Sequence, residues 1–98
     1  MKINKNYRLS PLAETDLEEI WWYTVNQWSV KQADSYVLSL IEAFKRLSQG
    51  VYKGSDFHAL VRYKKHLCGS HVIFYKDSPE YVDIIRMLHQ SQDATRHL

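Results

Sequence analysis

Asp83-Ile84-Ile85-Arg86-Met87-Leu88-His89-Gln90-Ser91-Gln92-Asp93-Ala94-Thr95-Arg96-His97-Leu98 closes the chain, and Gly69-Ser70-His71-Val72-Ile73-Phe74-Tyr75 stands upstream of it. Each carries an apolar, β-prone run. The last one stops abruptly in imidazole, amide, carboxylate and guanidinium groups. Asp77-Ser78-Pro79 lies between them and reads as a turn. The two runs are therefore expected to be adjacent antiparallel strands that deliver a polar cluster to one sheet edge. His71 to Lys76 has few polar breaks and reads as a central strand buried on both faces.

Upstream, Val61, Tyr63, Lys65 and Leu67 alternate with Arg62, Lys64 and His66, as on the two faces of another strand. Cys68-Gly69-Ser70 turns that strand into the next. Before it the period is helical. Ser10 can cap a helix, and Pro11 suits its first position because the missing N–H has no helical partner there. Glu14 and Asp16 favour the positive end of the dipole. Ala13, Leu17, Ile20, Trp21, Thr24 and Trp28 form one stripe expected to be buried, with Glu14, Glu18 and Glu19 off it and Trp22 and Tyr23 toward its margins. Ser29-Val30-Lys31-Gln32 is a capping box that opens a second helix. Its stripe is Ala33, Tyr36, Val37, Leu40, Ile41, Phe44 and Leu47, and Gly50 ends it. Asn6-Tyr7-Arg8-Leu9 reads as a short N-terminal strand. The order predicts an α+β fold over residues 1–98, one domain: an N-terminal strand, an antiparallel helical hairpin, then a three-stranded antiparallel meander, all in one sheet.

The 98 residues include three Trp and seven Tyr, many for so small a core, so some rings are expected on the surface to meet a partner. The net charge is +2, too mild for a nucleic-acid-coating tail. The charge is uneven: no acid occurs from Phe57 to Lys76, while Arg62, Lys64, Lys65 and Lys76 do. Such a stretch is either a solvated strand face or a patch for an acidic partner. One cysteine, Cys68, cannot form an internal disulfide and suits a reducing cytoplasm. Met1 to Tyr7 is polar and shows no signal peptide, and no apolar run approaches the ~20 residues of a membrane helix.

These features resemble the ParE branch of the RelE/ParE toxins of bacterial type II toxin–antitoxin operons. The resemblance rests on Leu9-Ser10-Pro11-Leu12-Ala13 leading to Asp16-Leu17-Ile20, on Trp28 and Gln32-Ala33, on Gly69 to Tyr75, on Ile85-Arg86-Met87-Leu88-His89, and on Asp93 to Leu98. It implies a growth-arresting, plasmid-maintaining toxin that binds DNA gyrase and is silenced by a ParD-like antitoxin, a ribbon-helix-helix protein with a disordered C-terminal segment. It implies no cofactor, and contact with nucleic acid only through gyrase or antitoxin. RelE-like members instead cut mRNA on the ribosome. A third alternative is a non-toxic co-repressor.

RNA cleavage through the 2′-hydroxyl needs a base, an acid and cations for the charged phosphorane. Arg86, His89, Arg96 and His97 are the available set, but Gln90 stands where RelE-like nucleases tend to be basic, and no Tyr follows Tyr81. The resemblance implies a toxin that binds its target without catalysis of its own, and the residues themselves leave RNA cleavage open as the alternative. The expected target-binding groups are the strand cations Arg62, Lys64 and Lys65 with Arg86, His89 and Arg96. Arg62-Tyr63-Lys64 stands where ParE-like chains often carry Gly-Tyr-Arg. Trp22, Glu18 and Glu19 are expected to meet the antitoxin. A buried Arg86 needs a carboxylate, with Asp83 or Asp93 the nearest in sequence. The five histidines show no metal-ligand spacing, so no metal is expected, and His71 is expected to hydrogen-bond a backbone group or a carboxylate.

Overall fold

The computed structural model describes residues 5–98, so the polar opening residues 1–4 lie outside the described residues. Strand β1 (Asn6–Leu9) leads into helix α1 (Pro11–Gln27). Helix α2 (Val30–Ser48) follows, then β2 (Ser55–Asp56), β3 (Lys64–Cys68), β4 (His71–Asp77) and β5 (Tyr81–His89), with a final 3-10 turn at Ala94–Arg96. The sheet order is β1-β5-β4-β3-β2. β1 runs parallel to β5 and every other pair is antiparallel. The expected strand, hairpin and meander are all present. The two-residue β2 is an addition, invisible in the sequence because Ser55-Asp56 carries no alternating apolar pattern.

Both helices start as their caps dictate. Ser10 Oγ accepts from Ala13 N and Ser29 Oγ from Gln32 N, each at 3.0 Å. Ser10 also donates to the Ile85 carbonyl at 2.7 Å, which pins the start of α1 to β5. Helix α2 ends with Gly50 at φ 74°, while Val51 N reaches the Arg46 carbonyl and Gly50 N the Leu47 carbonyl. That bonding satisfies carbonyls a helix end otherwise leaves open.

The hairpin covers one face of the sheet. Leu40 and Phe44 of α2 and Ala13 of α1 meet Ile73, Val82 and Ile84, all 0–1% exposed. Burying each large apolar side chain contributes about 1.5–3 kcal/mol. β4 is buried on both sides as expected: Ile73 and Tyr75 face the helices, while Phe74 is covered by the Phe57 ring, 5.1 Å away edge-on.

Three expectations change. Val61, Arg62 and Tyr63 lie in a turn, not in a strand, with Tyr63 N bonded to the Leu60 carbonyl and Phe57 N to the Tyr63 carbonyl. In β3 the alternation holds, but pairing Lys64 with Tyr75 and His66 with Ile73 turns Lys64 and His66 toward the helices. Lys65 and the exposed Leu67 take the other face. Arg62, Lys64 and Lys65 therefore form no common face. On α1, Trp28 is 78% exposed, because it is the cap residue and has left the helical stripe. Asp16 takes a buried position instead, at 6% exposure.

Candidate functional site

The polar cluster forms where α1 ends, α2 begins, β4 starts and β5 stops. Gly69, at φ 59°, makes the β3–β4 turn beneath the Tyr36 ring, where any Cβ would lie 2.7 Å from that ring. The Tyr36 hydroxyl accepts the Ser70 N–H at 3.0 Å and lies 2.7 Å from His71 Nδ1. His71 thus has a phenol as partner, in place of the backbone group or carboxylate expected. His71 stands opposite His89, their rings edge to face at 5.5 Å. An irregularity in the β4–β5 pairing at Phe74/Tyr75 produces this pairing. The register of the Asp77–Val82 end, continued without it, would set Leu88 opposite His71.

Ser91 N–H donates to His89 Nδ1 at 3.1 Å, and Ser91 Oγ lies 2.7 Å from the same atom. Nδ1 of His89 thus serves as an acceptor, which leaves Nε2 as the ring atom facing away from Ser91. Burial, and next the neighbouring His89, lowers the His71 pKa. Burial raises that of Tyr36. Both groups are neutral at pH 7. A cleft of about 390 Å³ runs past them, lined by Glu19, Ile20, Tyr23, His71, His89 and Ser91. A second of about 330 Å³ continues along Tyr23, Thr24, Trp28, Gln32 and Tyr36. Its rim is aromatic and open: Tyr23 is 65% exposed.

Arg86 is committed elsewhere. Its Nε and Nη2 donate to the two carboxylate oxygens of Asp16 at 2.8 and 2.9 Å, and Asp16 also accepts from Met87 N at 3.0 Å. The partner is Asp16, not Asp83 or Asp93. Asp83 binds Arg8 at 2.7 Å, and Asp93 caps the 3-10 turn through Thr95 N. The remaining Nη1 of Arg86 donates to the His97 carbonyl at 3.1 Å and so holds the tail against the sheet. Arg96 is exposed, 3.6 Å from Asp93, and the His97 side chain is exposed too. Of the residues proposed for RNA cleavage, Arg86 and His89 share a small cleft with His71, while Arg96 and His97 lie outside its lining.

Trp22, Glu18 and Glu19 are exposed along α1. Trp22 packs edge-on to Trp21, whose Nε1 donates to Asp34 at 2.9 Å and ties the two helices together. Lys64 lines a separate cleft of about 440 Å³ with Lys5 and Lys53 at the end of α2. No group of three or more potential metal ligands occurs among the described residues. Tyr36 reads in sequence as plain helix stripe, and its hydroxyl role follows only from the turn at Gly69. Arrayed this way, the site offers hydrogen-bonding rings beside an open aromatic rim.

The fold is a small two-layer α+β arrangement, a helical hairpin laid on one face of a five-stranded sheet. It superposes with a TM-score of 0.76 on a solved chain of the chromosomal ParDE TA system from P. aeruginosa, at 16% identity, over 88% of this chain and 96% of that one. The profile of the ParE toxin of the type II toxin–antitoxin system parDE matches residues 7–94, and the chain belongs to that family. It is 39% identical to Toxin ParE1 of Caulobacter vibrioides over 95 residues, 96% of this chain and 98% of that one. It is 37% identical to Toxin ParE1 of Mycobacterium tuberculosis over 98 residues, 98% of this chain and all of that one.

Proposed function

We propose that this ParE toxin acts by binding DNA gyrase, and that a ParD-like antitoxin neutralises it by occupying the helical hairpin. The antitoxin part of this reading is carried by the exposed Tyr23 and Trp28 along the His71–His89 clefts, with Trp22 also exposed on the same helix, and the gyrase part rests on the family resemblance. Three large rings left in water on one hairpin are poor stabilisers of the free chain and good anchors for a partner. Glu18 and Glu19 flank Trp22 on the same helix and suit basic residues of the antitoxin. A disordered antitoxin segment would order as it docks there. Gyrase contact is assigned to Arg62, Lys65, His89 and Arg96, with Lys64 beside the α2 end. Arg86 serves as the post that positions the tail. The contact is made in the cytoplasm, where gyrase works.

Expression of the toxin alone tests the operon logic. Growth should arrest, and co-expression of the neighbouring antitoxin should restore it. Primer extension on mRNA after induction should show no new 5′ ends inside coding regions. Discrete new ends would support ribosome-dependent cleavage instead, and continued growth would support the co-repressor.

A further inference from the structure

The face of the sheet turned away from the helices carries a row of cations seated on aromatic rings. Val82, Ile84 and Tyr75 point into the core, so Asp83, Lys76 and, by register, Arg8 point to the other side. Arg8 lies over the Tyr81 ring at 3.9 Å, Lys76 over Tyr63 at 4.9 Å, and Lys65 over Phe57 at 5.8 Å. Each ring face attracts the cation above it and holds it at a defined height. Arg62 adds a fourth, exposed charge from the turn beside Tyr63. Asp83 on this face is paired with Arg8, and Glu80 in the adjoining turn lies near the same guanidinium. Among the described residues Arg62, Lys65 and Lys76 have no carboxylate within 4 Å.

We infer that this open face is a contact surface for duplex DNA, made through its phosphates. A sheet spaces neighbouring strands about 4.8 Å apart, so the strip from β1 to β3 extends roughly 14 Å. Duplex DNA presents one negative charge per ~1.7 Å of its axis, so such a strip meets several phosphates. An acidic protein surface is the less suitable partner. Protein interfaces are anchored by several desolvated apolar side chains; along the strands of this face Phe74 and Leu88 are already 3% and 2% exposed, and Leu67, at 57%, is the exposed large apolar side chain among the cations. What stands outermost along the row is positive charge. The purpose of the contact rests on the gyrase reading, since gyrase is an enzyme that works on duplex DNA. The surface itself does not depend on that reading.

Fluorescence anisotropy of a labelled 30-bp duplex, titrated with the full-length toxin at several salt concentrations, tests the inference. Three phosphate contacts predict a log–log salt slope near −2.7, an affinity loss of about 40-fold between 50 and 200 mM salt. The double variant Lys65→Ala with Lys76→Ala should lower the slope by about 1.8 and reduce the 50–200 mM loss to about 3–4-fold. Circular dichroism confirms that the variant is folded. Lys31→Ala with Lys45→Ala, on α2, should leave the slope unchanged. No binding by the wild type at 50 mM salt, or a double variant with the wild-type slope, overturns the DNA contact. If DNA is not bound and the double variant loses gyrase inhibition, the face belongs to a protein partner and the inference fails while the gyrase reading stands. DNA binding with no effect on gyrase leaves the contact in place and removes the gyrase reading.

Discussion

Replacing Asp16 by alanine should destabilise the fold more than any other single change to a charged residue. The carboxylate is 6% exposed and accepts three hydrogen bonds, two from Arg86 and one from the Met87 N–H. Its removal leaves the Arg86 guanidinium, with a side chain 17% exposed, without its counter-charge. Breaking such a pair costs about 3–5 kcal/mol. The unmet Met87 N–H adds about 1–3 kcal/mol, part of which water entering the new space recovers. The bond from Nη1 to the His97 carbonyl remains and offsets some of the loss. A net destabilisation of about 3–4 kcal/mol follows. At ~4–8 °C per kcal/mol for a domain of this size, Tm falls by roughly 12–30 °C. Urea denaturation followed by far-UV circular dichroism measures it. Asp16→Asn keeps an acceptor for Met87 N and should cost about half as much. The double variant Asp16→Ala with Arg86→Ala should be more stable than the two single losses added together, by about 2 kcal/mol. An Asp16→Ala protein within 0.5 kcal/mol of wild type, or strictly additive losses, would refute the assignment of this pair as the clamp between α1 and β5.

Trp28→Ala should leave stability within about 0.5 kcal/mol, since the ring is 78% exposed, yet weaken antitoxin binding by about 2 kcal/mol in calorimetric titration. Gly69→Ala should cost about 2 kcal/mol in urea denaturation, because the residue sits at φ 59° and the new Cβ meets the Tyr36 ring at 2.7 Å. His71 has a folded-state pKa below the unfolded value of about 6.5, so the unfolded chain binds the extra proton. Stability is therefore full above pH ~6.5 and declines as pH falls from there toward the lowered folded pKa. Denaturation midpoints from pH 7.5 to 5 should show this slope, and His71→Gln should reduce it; His66, whose pKa burial also lowers, acts in the same direction.

The helices were legible because their signals are local: a hydroxyl three residues ahead of the N–H it caps, a proline at the first position, a glycine at the end. Strand alternation was legible from Lys64 onward, while the same pattern over Val61 to Tyr63 belongs to a turn. Which side of β3 faced the core was not, because that is decided by pairing with β4, and Lys64 looks like a surface residue until Tyr75 is set opposite it. The clamp was hidden for a similar reason. Asp16 and Arg86 lie 70 positions apart, and Asp83 and Asp93 are nearer in sequence. The cleft needed one more piece of information, the pairing irregularity that brings His89 in place of Leu88 across from His71. Trp28 continued the apolar spacing of α1, but the helix stops one residue before it. Sequence periodicity shows where a side chain would point if the helix went on.

Purified toxin added to gyrase, ATP and relaxed plasmid measures the central claim most directly. Binding to gyrase predicts that supercoiling falls with toxin concentration, that linear plasmid accumulates, and that prior addition of the antitoxin abolishes both effects. Full supercoiling by active gyrase at micromolar toxin, with no linear product, would contradict it.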